Sequence, residues 1–384
     1  MTIRRHFIVL DSWRGLCAVL VAVYHFFIST INAYHSSLID SFFLFVDFFF
    51  VLSGFVIAIN YRDSIDSFHD FKVFIVRRAG RVWPAHAVAM LGFAVLMLVL
   101  ITAGQSSPFT IGASPTTYDI RKYPLVLAMT NSLGLYSGGW NLPSWSISAE
   151  FVSYLVFAII FMMPWRLVGV ICASLGGLGM VLFLSHDYIN MTANFGVFRC
   201  IFGFGVGVIT FYLYEAIEGW TWIVFMINKS VTEPIILVLT GIFLYGSTCN
   251  LSQASWVSMF APFVFGVVII VFSAEAGVVS KILLLTPFVR IGRMSYSIYI
   301  NHWLILVSMA SVCNLFVPSY AEVPLWGGVY LMWNLPDAAM FWVAFGVFLV
   351  VVFVISDFTF RWVEEPGRLA SKKWSGRISR SSAR

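Results

Sequence analysis

Ten times along the chain, a run of about twenty mostly apolar residues is bounded by polar or charged ones. That is the length a helix needs to cross a hydrocarbon core of about 30 Å. The runs lie at roughly 8–30, 39–60, 82–104, 145–163, 166–184, 194–214, 232–248, 255–275, 291–312 and 338–360. The seventh is short, and Trp220 to Ile227 ahead of it has the character of an interfacial segment. The pattern predicts an all-α fold: a polytopic integral membrane helical bundle of about ten transmembrane helices. No Pro- or Gly-rich linker divides it, so residues 1–366 read as one membrane domain, followed by a basic tail at 367–384.

Composition agrees with the pattern. The 384 residues are 60% hydrophobic and 11% charged, more apolar surface than a soluble core could use. The first run is too long for a signal peptide and lacks a small-residue cleavage site. Basic residues set the orientation. With the amino terminus in the cytoplasm, only Arg121, Lys122 and Arg199 of the 23 Lys and Arg fall on the far side, which predicts that both termini are cytoplasmic. Arg368 to Arg384 then reads as a topology and lipid-surface determinant, not a nucleic-acid site. The five cysteines are scattered and form no Cys-x-x-Cys pair, which argues against a zinc or redox motif.

The chemistry-bearing residues are those that break the apolar pattern. The first run holds Asp11, Arg14 and His25, and a central Asp or Arg costs about 2.5–3.5 kcal/mol to insert. On a helix, Arg14 and His25 lie within about 20° of one face and roughly 16 Å apart, with Asp11 on the same face. That stripe must look into the protein or a watery cavity. An Asp11–Arg14 ion pair at the membrane edge with a core histidine is the plainer alternative. The second run carries Asp47 ahead of Ser53-Gly54, where helices can approach closely. Before the third run, Arg77, Arg78 and Arg81 present guanidinium forks suited to phosphate, or else anchor lipid headgroups. The long loop from Gln105 ends in Trp140 and Trp145 beside Ser146, Ser148 and Glu150. An aromatic belt explains the tryptophans but not the carboxylate.

By depth along their helices, His25, Asp47 and Glu150 fall within roughly 5 Å of one level. A histidine with two carboxylates at one depth is a candidate base with its orienters. Arg14 lies about three turns nearer the cytoplasm, between that level and the arginine cluster, so a polar path is expected to cross the bundle. Arg199 opens the sixth run among Gly196, Gly203, Gly205 and Gly207, and its partner is not legible.

Read as strings, these stretches resemble the membrane-bound acyltransferase type 3 family of integral-membrane O-acyltransferases. The resemblance rests on Leu10-Asp11 through Arg14-Gly15 to Tyr24-His25 and on Phe49-Phe50-Val51-Leu52-Ser53-Gly54-Phe55. It continues through Arg77-Arg78-x-x-Arg81 with Pro84, Trp145-Ser146-x-Ser148-x-Glu150, and Gly292-x-x-Ser295-Tyr296-x-x-Tyr299-x-x-His302-Trp303, and closes on Val363-Glu364-Glu365-Pro366, which reads as structural. Ala149 and Asn301 depart from the usual pattern.

The resemblance implies transfer of an acyl group, acetyl by expectation, from acetyl-coenzyme A at the cytoplasmic face to a hydroxyl of a glycan, glycolipid or secondary metabolite. Arg77, Arg78 and Arg81 would hold the donor's phosphates, and Arg14 would sit near its reactive end. His25 would be the general base, or in a rival mechanism would carry the acyl group, with Glu150 or Asp47 orienting its ring. Trp140, Trp145, Tyr296 and His302 would contact the acceptor. No metal and no nucleic acid is implied, nor a fused extracytoplasmic hydrolase-like domain, and the implied location is the plasma (inner) membrane. Two other classes stay open: a transporter or flippase, and a non-catalytic assembly protein of the same fold.

Overall fold

The structure, a computed structural model, describes residues 6–31, 36–104, 118–135, 139–221, 226–227, 230–249, 253–317, 319–325 and 328–381. Residues 105–117 and 136–138 of the long loop, and 222–225 of the expected interfacial stretch, lie outside that set.

Every apolar run is helical. The helices are α1 (Ile8–Ile28), α2 (Phe45–Tyr61), α3 (Phe68–Thr102), α4 (Trp145–Phe161), α5 (Arg166–Leu184), α6 (Gly196–Glu218) and α7 (Thr232–Gly246). They continue with α8 (Ala261–Phe272), the short α9 (Val278–Leu283) and α10 (Thr286–Arg293), α11 (Ser295–Phe316), α12 (Ala338–Thr359) and α13 (Glu365–Ser381). Among the described residues, 8 helical segments are long and apolar enough to cross a membrane, and two shorter apolar helices fill the seventh and eighth runs. The molecule is thus a polytopic membrane helical bundle.

Close backbone approach organises its centre, where α2 crosses α6. A Cβ added at Gly54 would lie 2.1 Å from the Phe204 carbonyl oxygen, and one at Gly207 would lie 2.0 Å from that of Val51. Only residues without side chains allow this contact, the means by which helices associate where lipid removes the hydrophobic drive.

Two departures from the apolar pattern matter for the site. First, α3 begins at Phe68, well before its apolar run. Ser67 caps it by accepting from the Asp70 amide at 3.2 Å, and Asp70 suits the positive end of the helix. The arginine cluster therefore lies within a continuous helix of 35 residues, with Pro84 inside it. Second, the expected tail is largely the helix α13. It follows α12 through a π-helical turn at Phe360–Glu364 and packs along α3, where Arg77 Nε donates to Ser375 Oγ at 2.9 Å.

At the opposite end, an antiparallel hairpin pairs Tyr320–Leu325 with Gly328–Trp333. The Trp333 amide donates to the Ser29 carbonyl at 2.8 Å, and the Ile31 amide donates to the Trp333 carbonyl at 3.1 Å. These bonds use backbone groups left open where α1 ends, and so fix the turn that carries His25.

Candidate active site

Between α1, α2, α3, α4 and α11 lies a narrow cavity of about 80 Å³ whose wall includes Arg14, Arg78, Arg81, Glu150, Tyr296 and Tyr299. Arg78 is buried. Its guanidinium sits 5.2 Å from the Tyr61 ring centre, 5.6 Å from that of Phe74 and 5.3 Å from that of Tyr154, and its Nε has no hydrogen-bond partner. Arg81, half-buried one turn on, makes no hydrogen bond or ion pair among the described residues. Aromatic faces offset part of the cost of burying such a charge, but an enclosed guanidinium without an anion is an unstable arrangement unless a ligand supplies one.

The neighbouring polar groups are already engaged. Arg14 pairs with Asp11 at 2.8 Å and donates from Nε to Ser295 Oγ at 2.9 Å. Glu150 accepts from Tyr154 at 2.6 Å and from Ser53. The Tyr296 hydroxyl donates to the Val82 carbonyl at 2.5 Å, tying α11 to the arginine helix.

A larger chamber of about 860 Å³ lies on the other side, with His25, Tyr24, Trp145, Asp187, Arg199 and Tyr299 among its lining. Tyr299 borders both spaces. Its hydroxyl is 2.7 Å from Ser146 Oγ and donates to the Pro143 carbonyl at 3.1 Å, so the partition is fixed to the start of α4. Asn141 Nδ2, donating to the Ile300 carbonyl at 3.0 Å, ties the preceding loop to α11 as well. Beyond the spans, partial burial pushes the Asp187 carboxyl upward, against the pull of its bonds from Asn190 and the Ala254 amide.

His25 faces this chamber in a defined state. Its Nδ1 lies 3.0 Å from the Val21 carbonyl and 3.1 Å from His302 Nε2. A carbonyl can only accept, so Nδ1 carries the proton and shares it between the two acceptors. Nε2 is left with its lone pair, and among the described residues it has no hydrogen-bond partner. His302, wholly buried behind it, lines neither cavity.

The residues expected at the site take the following places. Asp47 faces Arg199. It receives Arg199 Nε at 2.9 Å and Nη2 at 2.6 Å, and both side chains are almost wholly buried. That pairing supplies the partner of Arg199. Glu150 faces the inner cavity and accepts from Tyr154 there. Equal depth along three helices fixes height but not the direction in which each side chain points. Trp140 is buried, packed against Tyr118 and Tyr123, and donates from Nε1 to the Asp119 carbonyl at 3.0 Å. Tyr296 lines the arginine-rich cavity instead of the chamber, and His302 backs His25. Trp145 does line the chamber, its ring 5.5 Å from the Arg199 guanidinium.

Tyr299 and Tyr154 are wall residues that the sequence reading did not single out. Tyr299 stands in the Ser-Tyr-x-x-Tyr-x-x-His string, one turn before His302, and that spacing was its available signal. Glu364, read as structural, is buried in the π-helical turn and accepts from Ser297 Oγ at 2.6 Å.

A family model described as an acyltransferase domain matches residues 7–380. Among curated proteins, the acyltransferase MdmB of Streptomyces mycarofaciens is 34% identical over 114 residues. That alignment covers 30% of this chain and 27% of the relative's length. No solved structure matches.

Proposed function

Because the chain belongs to this acyltransferase-domain family, we propose that it is an integral-membrane O-acyltransferase that takes an acyl group, preferentially acetyl, from acyl-coenzyme A. The acceptor is a hydroxyl of a glycan, glycolipid or related molecule in the chamber that His25 faces. The observation that carries the reading is the pair Arg78 and Arg81, cations that make no ion pair among the described residues, on the wall of a cavity that shares Tyr299 with the His25 chamber. Guanidinium forks match phosphate oxygens. A donor held there by its phosphates would direct its thioester toward the partition.

The reaction follows from the free Nε2 of His25. As the acceptor oxygen attacks the thioester carbonyl carbon, Nε2 takes the hydroxyl proton, a task suited to an imidazole near neutral pH. The new C–O bond forms and the C–S bond breaks. Coenzyme A leaves as a thiolate, and the proton on His25 passes to it, which returns the histidine to its starting state. The Val21 carbonyl and His302 hold the ring throughout. Arg14, anchored by Asp11 and Ser295, would contribute positive charge near the reactive end of the donor.

The test is purified full-length protein incubated with radiolabelled acetyl-coenzyme A, following both donor binding and release of acetate in the absence of acceptor. Saturable binding with slow thioester cleavage is expected. Folded protein that neither binds nor cleaves the donor would overturn the reading and favour a carrier.

A further inference from the structure

A third cavity, of about 180 Å³, opens beside the inner one, and its wall includes Arg77, Arg78, Arg81, Arg368 and Lys372. It shares Arg78 and Arg81 with the inner cavity, so the two meet at those side chains. Among its described lining residues, five are cationic and none is a carboxylate. Arg368 is partly neutralised by Glu365, at 2.6 Å, whereas the Lys372 ammonium makes no hydrogen bond or ion pair among the described residues. Two of these cations come from α13.

The helix is held there by contacts too close to be incidental. A Cβ added at Gly80 would lie 2.1 Å from Ser371 Cβ, and one at Gly367 would lie 2.7 Å from Pro84 Cγ. Ser375 takes the Arg77 Nε bond one turn further along. The glycines let α13 settle against the arginine face of α3, and Lys372 then stands on the wall of the basic cavity.

We propose that α13 completes the donor site, with Lys372 and Arg368 holding the 3′-phosphate of the coenzyme A ribose while Arg78 and Arg81 take the diphosphate. The inference rests on the acyl-coenzyme A reading above. The thioester must point inward toward Tyr299 and His25, so the nucleotide end lies outermost. Coenzyme A carries its phosphates in two groups, a diphosphate nearer the pantetheine arm and a monophosphate on the ribose. The cations are arranged in the same order, with Arg78 and Arg81 common to both cavities and Lys372 and Arg368 in the outer one alone.

The experiment compares equilibrium binding of acetyl-coenzyme A and its 3′-dephospho analogue to the full chain. The parent is expected to favour acetyl-coenzyme A by about tenfold to a hundredfold, the range of a charge-assisted contact. Lys372→Gln should collapse most of that preference and Lys372→Arg should keep it, whereas Arg78→Gln should weaken both ligands and leave their ratio near the parental value. Lys372 is exposed, so its substitution leaves the bundle core untouched. A parental ratio in Lys372→Gln would overturn the proposal, as would a parent that binds both ligands equally well, an outcome that leaves the donor assignment standing. A folded parent that binds neither ligand would overturn the donor assignment itself.

Discussion

His302 presents Nε2 to the Nδ1 of His25 at 3.1 Å, from a wholly buried position that reaches neither cavity. In the proposed mechanism its leverage is therefore on the state of His25. Because the Val21 carbonyl also fixes the Nδ1 proton, removing His302 loosens the ring without forcing the wrong tautomer. His302→Ala is expected to lower kcat by about tenfold to a hundredfold, less than the 10² to 10⁴ typical of losing the base itself, with little change in KM for the acyl donor. His302→Gln, whose side-chain oxygen can accept from Nδ1, should recover part of the loss. If His302 were an acceptor-binding residue, KM for the acceptor would rise instead and kcat would hold.

Asp47 and Arg199 give a second, opposite expectation. Removing one member of a buried ion pair leaves the other charge uncompensated, at about 3–5 kcal/mol. Asp47→Asn should cut the yield of folded protein or its thermal stability while leaving turnover per folded molecule close to parental. Asp47→Leu combined with Arg199→Met should be more stable than Asp47→Asn alone. A folded Asp47→Asn protein that had lost turnover would return Asp47 to the catalytic set.

The contrast between these two pairs marks what was legible in the chain. Helix content and approximate bounds followed from ten apolar runs, because the cost of unpaired backbone groups in lipid leaves a run of that length little alternative. The Ser53-Gly54 crossing was also legible, since close approach demands small residues. Direction around a helix relative to its neighbours was not. His25, Asp47 and Glu150 share a level, yet Asp47 turns to Arg199, Glu150 to Tyr154, and His25 to His302. Those choices depend on how α2, α4, α6 and α11 rotate about their own axes, which tertiary packing decides. The basic segment after Pro366 read as a surface tail because its charges say nothing of Gly367 and Ser371, the small residues that seat it on α3.

The inner arginines support a direct binding prediction. Arg78→Gln and Arg81→Gln should each weaken acyl-coenzyme A by roughly tenfold to a hundredfold, the value of a charge-assisted contact, measured by calorimetry on the purified chain. Neither variant should unfold. Arg78→Gln removes a buried charge that pairs with no anion among the described residues, and without ligand its thermal midpoint should equal or exceed the parental one. Donor affinity unchanged in both variants would return the cluster to a lipid-anchoring role.

The role proposed for His25 is tested most sharply by two substitutions read together. If its bare Nε2 is the base, His25→Ala should lower turnover by at least about 10², and donor affinity should change little because Arg78 and Arg81 line the other cavity. Gln preserves bulk and can still donate toward the Val21 carbonyl, but it has no group that takes a proton near neutral pH. His25→Gln should therefore be nearly as inactive as His25→Ala. A histidine held only by packing predicts the other order, with Gln rescuing turnover and Ala losing it in step with folded protein. The measurement is acyl transfer, or acetate release where the acceptor is lacking, per folded molecule in both variants, with donor affinity measured alongside. Near-parental turnover in His25→Gln would remove the base from His25, and the partition residue Tyr299 would become the next hydroxyl-facing group to test.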